Sequence, residues 1–137
     1  MPSTELDKLV AIGVLDSEPS TKLEFERLLE SGARRLVDAA NPSLSLYSRF
    51  DLGYNAAHAL ALAALRFHGY RPKNRYVVFQ CLIHTLGLLP AKWRVLDQAH
   101  NKRNRAEYEG DFDVDTALVE SLIRVAAEVE ALVRALA

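Results

Sequence analysis

The residue types that can do chemistry crowd into one segment, Asp97-Gln98-Ala99-His100-Asn101-Lys102-Arg103-Asn104-Arg105-Ala106-Glu107-Tyr108. A helix turns about 100° per residue, so its sides can be sorted. Trp93, Leu96 and Ala99 set an apolar stripe, and one turn later that stripe is continued by His100, Arg103, Asn104 and Glu107. Arg94, Lys102 and Arg105 fall on the other side and read as solvated. Arg103 therefore stands where packing asks for an apolar side chain. A guanidinium there must be paired, or must line a cleft or interface, because a lone buried charge is very costly. Two accounts stay open. In one, Arg103 and Glu107, four apart, form a structural ion pair and Asn104 bonds a neighbouring backbone group. In the other, the guanidinium serves a ligand or a partner surface.

Other candidates carry weaker signals. His58 is the one polar side chain in a run of Ala and Leu, with Asp51 and Asn55 on an adjoining stripe. That spacing predicts a hydrogen-bonded core histidine. His68 and His84 fall near helix ends, where the dipole favours an imidazolium. No histidine and carboxylate pair has metal-ligand spacing, and a single cysteine removes zinc-finger arrangements, so neither metal nor cofactor is expected. Phosphate-cradling Gly-rich loops and nucleophile elbows are absent from the sequence.

The elements that must position these residues are helices. A short first helix carries Leu6, Leu9, Val10 and Ile12 ahead of Gly13. A second starts near Ser20 or Thr21, with capping-box spacing between Thr21 and Glu24, and ends around Ala40 before Asn41-Pro42-Ser43. The third, about Ser45 to His68, is rich in Ala and Leu on every face from Ala56 to Leu65, the pattern of a central helix. A fourth is expected from Lys73 to Leu86, and a fifth from Pro90, at its first turn, to Tyr108. Asp113 or Asp115 caps a sixth that runs to the C-terminus. Tyr76-Val77-Val78-Phe79 is locally ambiguous, but no stretch alternates strictly enough for a strand.

Short connections make helices two to five antiparallel neighbours, giving one all-α domain over residues 1–137, an up-and-down bundle of four to six helices. On that path the end of helix three, the start of helix four and the end of helix five share a pole. Arg66, His68, Arg71, Lys73 and Arg75 would then gather near His100, Lys102, Arg103 and Arg105, a basic cluster able to bind a phosphate backbone, partly offset by Asp111, Asp113 and Asp115.

Bulk properties set the outer limits. With 137 residues the chain can bury one real core, and 50% hydrophobic against 26% charged residues is the balance of a globular protein. Seventeen Lys and Arg face eighteen Asp and Glu, so phosphate binding must rely on a local patch rather than a global field. The lone Cys81 suits a reducing compartment. The polar start, Met1 to Asp7, is unlike a signal or transit sequence, and the longest apolar run is far below the ~20 residues that span a bilayer. A cytoplasmic protein without a membrane partner is expected.

Arg103-Asn104, three further residues, then Tyr108 resembles the signature of the HEPN family (higher eukaryotes and prokaryotes nucleotide-binding), an Arg-Asn pair followed after a short gap by His. The opening around Leu9 to Leu15, the core helix Tyr54-Asn55-Ala56-Ala57-His58-Ala59-Leu60 and the turn His68-Gly69-Tyr70-Arg71-Pro72 fit the same pattern. The resemblance implies a helical bundle that forms homodimers, bringing two motifs into one cleft. It implies RNA or a nucleotide as ligand, and either a metal-independent ribonuclease of toxin or defence type or a silent partner of a nucleotidyltransferase or antitoxin. In nuclease members Arg binds phosphate, His exchanges protons and the neighbouring polar residue orients it. Here the His slot holds Tyr108, a poor base at neutral pH with a reference pKa near ~10. The resemblance therefore points to Arg103, Asn104 and Tyr108, with His100 one turn earlier as the substitute base. Arg66, Arg71, Lys73 and Arg75 are the expected phosphate contacts.

Overall fold

Thr21, Ser45, Asn74 and Asp115 each accept a backbone N–H from the helix that follows, at 2.9–3.2 Å, and these caps fix where four helices begin. The computed structural model describes residues 4–137. In order these form α1 (Thr4–Ala11), β1 (Leu15–Ser17), α2 (Lys22–Ala39), α3 (Leu46–Phe67), β2 (Tyr70–Pro72), α4 (Arg75–Gln80), α5 (Leu82–Thr85), α6 (Pro90–Glu109) and α7 (Thr116–Arg134). The all-α reading holds, and the boundaries of α2, α3 and α6 lie within a residue or two of those expected. Pro90 opens α6 at its first turn, and Gly110, in the left-handed region at φ 71°, closes it.

The core is built around α3. Ala56, Ala57, Leu60, Ala61, Ala63 and Ala64 are all buried, because α2, α4, α6 and α7 pack around the helix. Small residues set the spacing. A Cβ on Gly32 of α2 would meet Leu60 Cγ at 2.5 Å, and one on Gly53 would meet Leu122 of α7 at 3.3 Å. Both glycines let helices approach closely where a larger residue would force repacking. A smaller cluster of Leu6, Leu15, Leu65, Tyr70, Val77 and Cys81 seats α1 against the far end of α3.

Three features depart from the sequence reading. First, Leu15–Ser17 and Tyr70–Pro72 form an antiparallel ladder pairing Leu15 with Pro72, Asp16 with Arg71 and Ser17 with Tyr70. Strands of three residues are too short to show alternation. Second, the expected fourth helix is two short pieces that meet at Cys81, and it starts at Arg75 because Asn74 caps it. Third, that short segment is not a full pass of the bundle, which reverses the direction of everything after it.

The long helices accordingly run α2 up, α3 down, α6 up and α7 down. Thr21, Phe25, Phe67 and Ala137 line one surface cavity, so the start of α2 shares a pole with the ends of α3 and α7. Tyr47, at the start of α3, has its ring 5.1 Å from that of Phe112, just beyond the end of α6. Lys92 near the start of α6 pairs at 3.1 Å with Glu128 in the second half of α7. The end of α6 therefore lies at the opposite pole from the end of α3. No helix among the described residues is long and apolar enough to cross a membrane.

Candidate functional site

The antiparallel path of α3 and α6 splits the expected basic cluster in two. At the end of α3, Arg66 is 1% exposed and all five of its N–H donors are used. Nε and Nη2 reach the Glu24 carboxylate at 2.7 and 3.1 Å. Nη1 donates to the carbonyls of Glu18 and Tyr70, and Nη2 to that of Pro19. Arg71 bonds Glu18 at 2.6 Å and Glu24 at 3.2 Å, and Lys73 lies 3.1 Å from Asp16. Arg66, Arg71 and Lys73 are thus committed to carboxylates, and the expectation that they contact phosphate is corrected for that reason. Glu24, three residues after its Thr21 cap, turns to Arg66 instead of closing a capping box. Its carboxyl is held below the usual range, chiefly by the Arg66 hydrogen bond and against the opposing effect of burial.

The second group sits where α3, α4 and α6 meet. Tyr54 of α3 is fully buried, and two guanidiniums lie over its ring, that of Arg103 at 5.4 Å and that of Arg75 at 6.0 Å from the centroid. The expected pairing of Arg103 with Glu107 is present only at 3.9 Å, the outer edge of an ion pair. A partner that loose and half exposed contributes ~1 kcal/mol at most, so the aromatic face is the stronger contact. The Arg103 side chain is 23% exposed, neither sealed in the core nor free in solvent. Of the four basic residues expected to contact phosphate, only Arg75 reaches Arg103.

His100 is held at both ring nitrogens. Nδ1 is 3.0 Å from the Tyr54 hydroxyl and Nε2 is 3.3 Å from Asn104 Nδ2. With the Asn104 amide donating, Nε2 accepts, and the neutral ring carries its proton on Nδ1 and donates to Tyr54. Asn104 thus bonds the imidazole rather than a backbone group. The His100 ring lies 5.0 Å from that of Tyr76, whose hydroxyl donates to Asp97 at 3.0 Å. Burial, followed by the Arg103 charge, holds the His100 pKa below its ordinary value, with Asp97 opposing and Arg75 reinforcing. Burial first, opposed by the two guanidiniums, pushes the Tyr54 hydroxyl up.

His58 belongs to this group and not to the polar network expected with Asp51 and Asn55, which bond each other. Its ring packs edge-on against Phe79 at 6.0 Å. No hydrogen bond joins it to another described residue, and no buried side-chain nitrogen among those residues lacks a partner, so the ring nitrogens keep contact with solvent. Burial, then Arg75, Arg103 and His100, lowers its pKa to about 4.

Since the unfolded value is 6.5, the unfolded chain takes up the proton first as pH falls. Stability is expected to be full above about pH 6.5 and to decline toward pH 4. The window from 4.5 to 6.5 lies above the range where Glu24, with an ordinary carboxyl value of 4.5, loses most of its own contribution. Thermal melts from pH 7.5 to 4.5 should therefore show a falling Tm that His58→Asn flattens in part; an identical slope in both proteins would refute the assignment.

Two other residues of α6 lie differently from their expected places. Tyr108 is 82% exposed and makes no ring or hydrogen-bond contact with the Arg103 group. Lys102, expected in solvent, is 6% exposed and pairs with Asp111 at 2.7 Å, because the loop after Gly110 folds back over the helix. The cavities beside Phe25 and Phe67, and beside Leu88 and Trp93, carry neither histidine nor arginine. Among the described residues no group of three or more His, Cys, Asp or Glu is placed to hold a metal ion. The arrangement offers two cations for an anion, one oriented neutral imidazole and a second, largely buried imidazole with no side-chain hydrogen-bond partner among the described residues. No family model, curated protein or solved structure matches the chain.

Proposed function

We propose that the chain is an HEPN-like, RNA-associated domain of toxin or defence type that cleaves RNA without a metal, at the seam between α3, α4 and α6. The observation that carries this reading is the pair of guanidiniums over the Tyr54 ring, neither of them in a tight carboxylate pair, with the neutral His100 alongside. Arg75 and Arg103 would hold the scissile phosphate and offset charge that builds in the transition state. His100 Nε2 would take the proton of the 2′-hydroxyl once substrate displaces the 3.3 Å contact from Asn104. Tyr54 fixes the ring from the other nitrogen.

Incubation with mixed RNA in excess EDTA tests this. Cleavage is expected to persist in chelator and to fall about 10²–10³-fold in Arg103→Ala, the usual cost of losing one donor to a developing anion. Absence of both binding and cleavage between about pH 6 and 9 would refute it.

One observation favours a second reading. Tyr108, which takes the place of the family's histidine, stands in solvent at the end of α6, and Phe112 in the loop that follows is exposed as well. A catalytically silent HEPN-like module would need no proton-transfer group there and could use that aromatic edge to form a homodimer or to dock a nucleotidyltransferase or an antitoxin. RNA binding without cleavage, together with a dimeric mass that Tyr108→Glu reduces to a monomer, would decide for the module.

A further inference from the structure

Cleavage of RNA by its own 2′-hydroxyl needs two proton transfers, one from the attacking oxygen and one to the departing oxygen. His100 can serve only one of them in a given step, and Tyr108, the other residue suggested by the sequence, is 82% exposed and makes no ring or hydrogen-bond contact at the seam. Resting on the ribonuclease reading above, we propose that His58 is the second proton-transfer group, the acid that protonates the leaving 5′-oxygen.

Placement supports this. Tyr54 and His58 are one turn apart on the same side of α3, and both rings pack on Phe79 of α4, at 5.6 and 6.0 Å. The His100 ring reaches the same Phe79 at 6.3 Å from α6. The fully buried Phe79 thus touches both imidazoles, and Arg75 and Arg103 lie close enough to act on both. His58 is also the histidine there whose ring nitrogens are not committed to a neighbouring side chain.

The step balances without a redox partner. The O2′–P bond forms as the O2′ proton passes to His100 Nε2, and the P–O5′ bond breaks as His58 gives its proton to O5′. The products are a 2′,3′-cyclic phosphate and a 5′-hydroxyl, and the two imidazoles exchange one proton through water to reset. The charged and titratable groups that act on His58 are Arg75 on α4 and His100 and Arg103 on α6. Burial and the two guanidiniums disfavour its protonated form, and a bound phosphate anion would offset the guanidiniums and restore the proton when it is needed.

Two oligonucleotides with a single ribonucleotide test the idea, one with the natural bridging 5′-oxygen and one with sulfur in its place. A thiol ionises near pH ~8.5, so a thiolate leaves without help from an acid. His58→Asn should slow the oxygen substrate about 10²-fold, the low end for a lost acid, while leaving the sulfur substrate within a few-fold of wild type. Equal slowing of both would mean that His58 only supports the fold, and no slowing would mean that it is idle; either result overturns the inference and leaves the ribonuclease reading intact. Failure of the wild-type protein to cleave either substrate would sink that reading and the inference with it.

Discussion

Replacing Arg66 with alanine should destabilise the protein by about 3–5 kcal/mol, the range for breaking a buried ion pair from one side. The guanidinium is 1% exposed, and its removal leaves Glu24 with Arg71 alone and deprives the carbonyls of Glu18, Pro19 and Tyr70 of their donor. Those carbonyls lie in the segment before α2 and in β2, so the loss would loosen the short ladder and the smaller core beneath it. Lysine should recover little, since an ammonium has three donors and no planar fork to match the five contacts. Urea titration would read the effect as a lower midpoint at constant slope, and a thermal melt as a drop of roughly 10–20 °C. A change below about 1 kcal/mol would mean that the network is replaceable and that Arg66 was misjudged.

Arg66 also shows what a single sequence hides. It follows an unbroken run of Ala and Leu, and its partners Glu18 and Glu24 lie more than forty residues away, so nothing local distinguishes it from a solvated arginine at a helix end. The long helices were legible because their ends carry local signals: the Thr21, Ser45 and Asp115 caps, Pro90 and Gly110. The central place of α3 was legible from composition alone. The direction of α6 was not. Lys73 to Leu86 read as one full helix, but the segment forms two short pieces, and omitting a pass from an up-and-down path sends each later helix the other way. That error placed Arg66, Arg71 and Lys73 beside Arg103. Arg75 meets Arg103 by another route, since α4 crosses α3 at the level of Tyr54.

The interruption of the apolar stripe of α6 was readable, and it led to His100, Arg103 and Asn104, which the structure brings together with Tyr54. The aromatic floor was not readable, because Tyr54 belongs to another helix and its role depends on the crossing. His58 was conspicuous as the polar residue in an apolar run, yet its neighbours Asp51 and Asn55 suggested the wrong network. A histidine one turn from a tyrosine is informative only when the helix packed against both is known. Lys102 was misjudged because the loop that buries it starts eight residues later, with a left-handed glycine.

His100→Ala and Tyr108→Phe should separate by orders of magnitude if the seam cleaves RNA. Losing a positioned general base costs about 10²–10⁴-fold, and His100 has the attributes of one. Its ring is fixed by Tyr54, its Nε2 lone pair is held only by a 3.3 Å amide contact, and burial together with Arg103 keeps it neutral at physiological pH. Tyr108 is 82% exposed, and its phenol would change cleavage in a single subunit by less than about 2-fold when removed. A family-like composite site would give the opposite result, because a second subunit could carry Tyr108 across the interface to Arg103. The two cases also differ in concentration dependence. An activity housed within one chain scales linearly with protein down to nanomolar levels, whereas a composite site loses specific activity as dimers dissociate. A large loss in Tyr108→Phe, with His100→Ala near wild type, would move the proton-transfer role to the α6 terminus and return His100 to a purely structural place beside Tyr54.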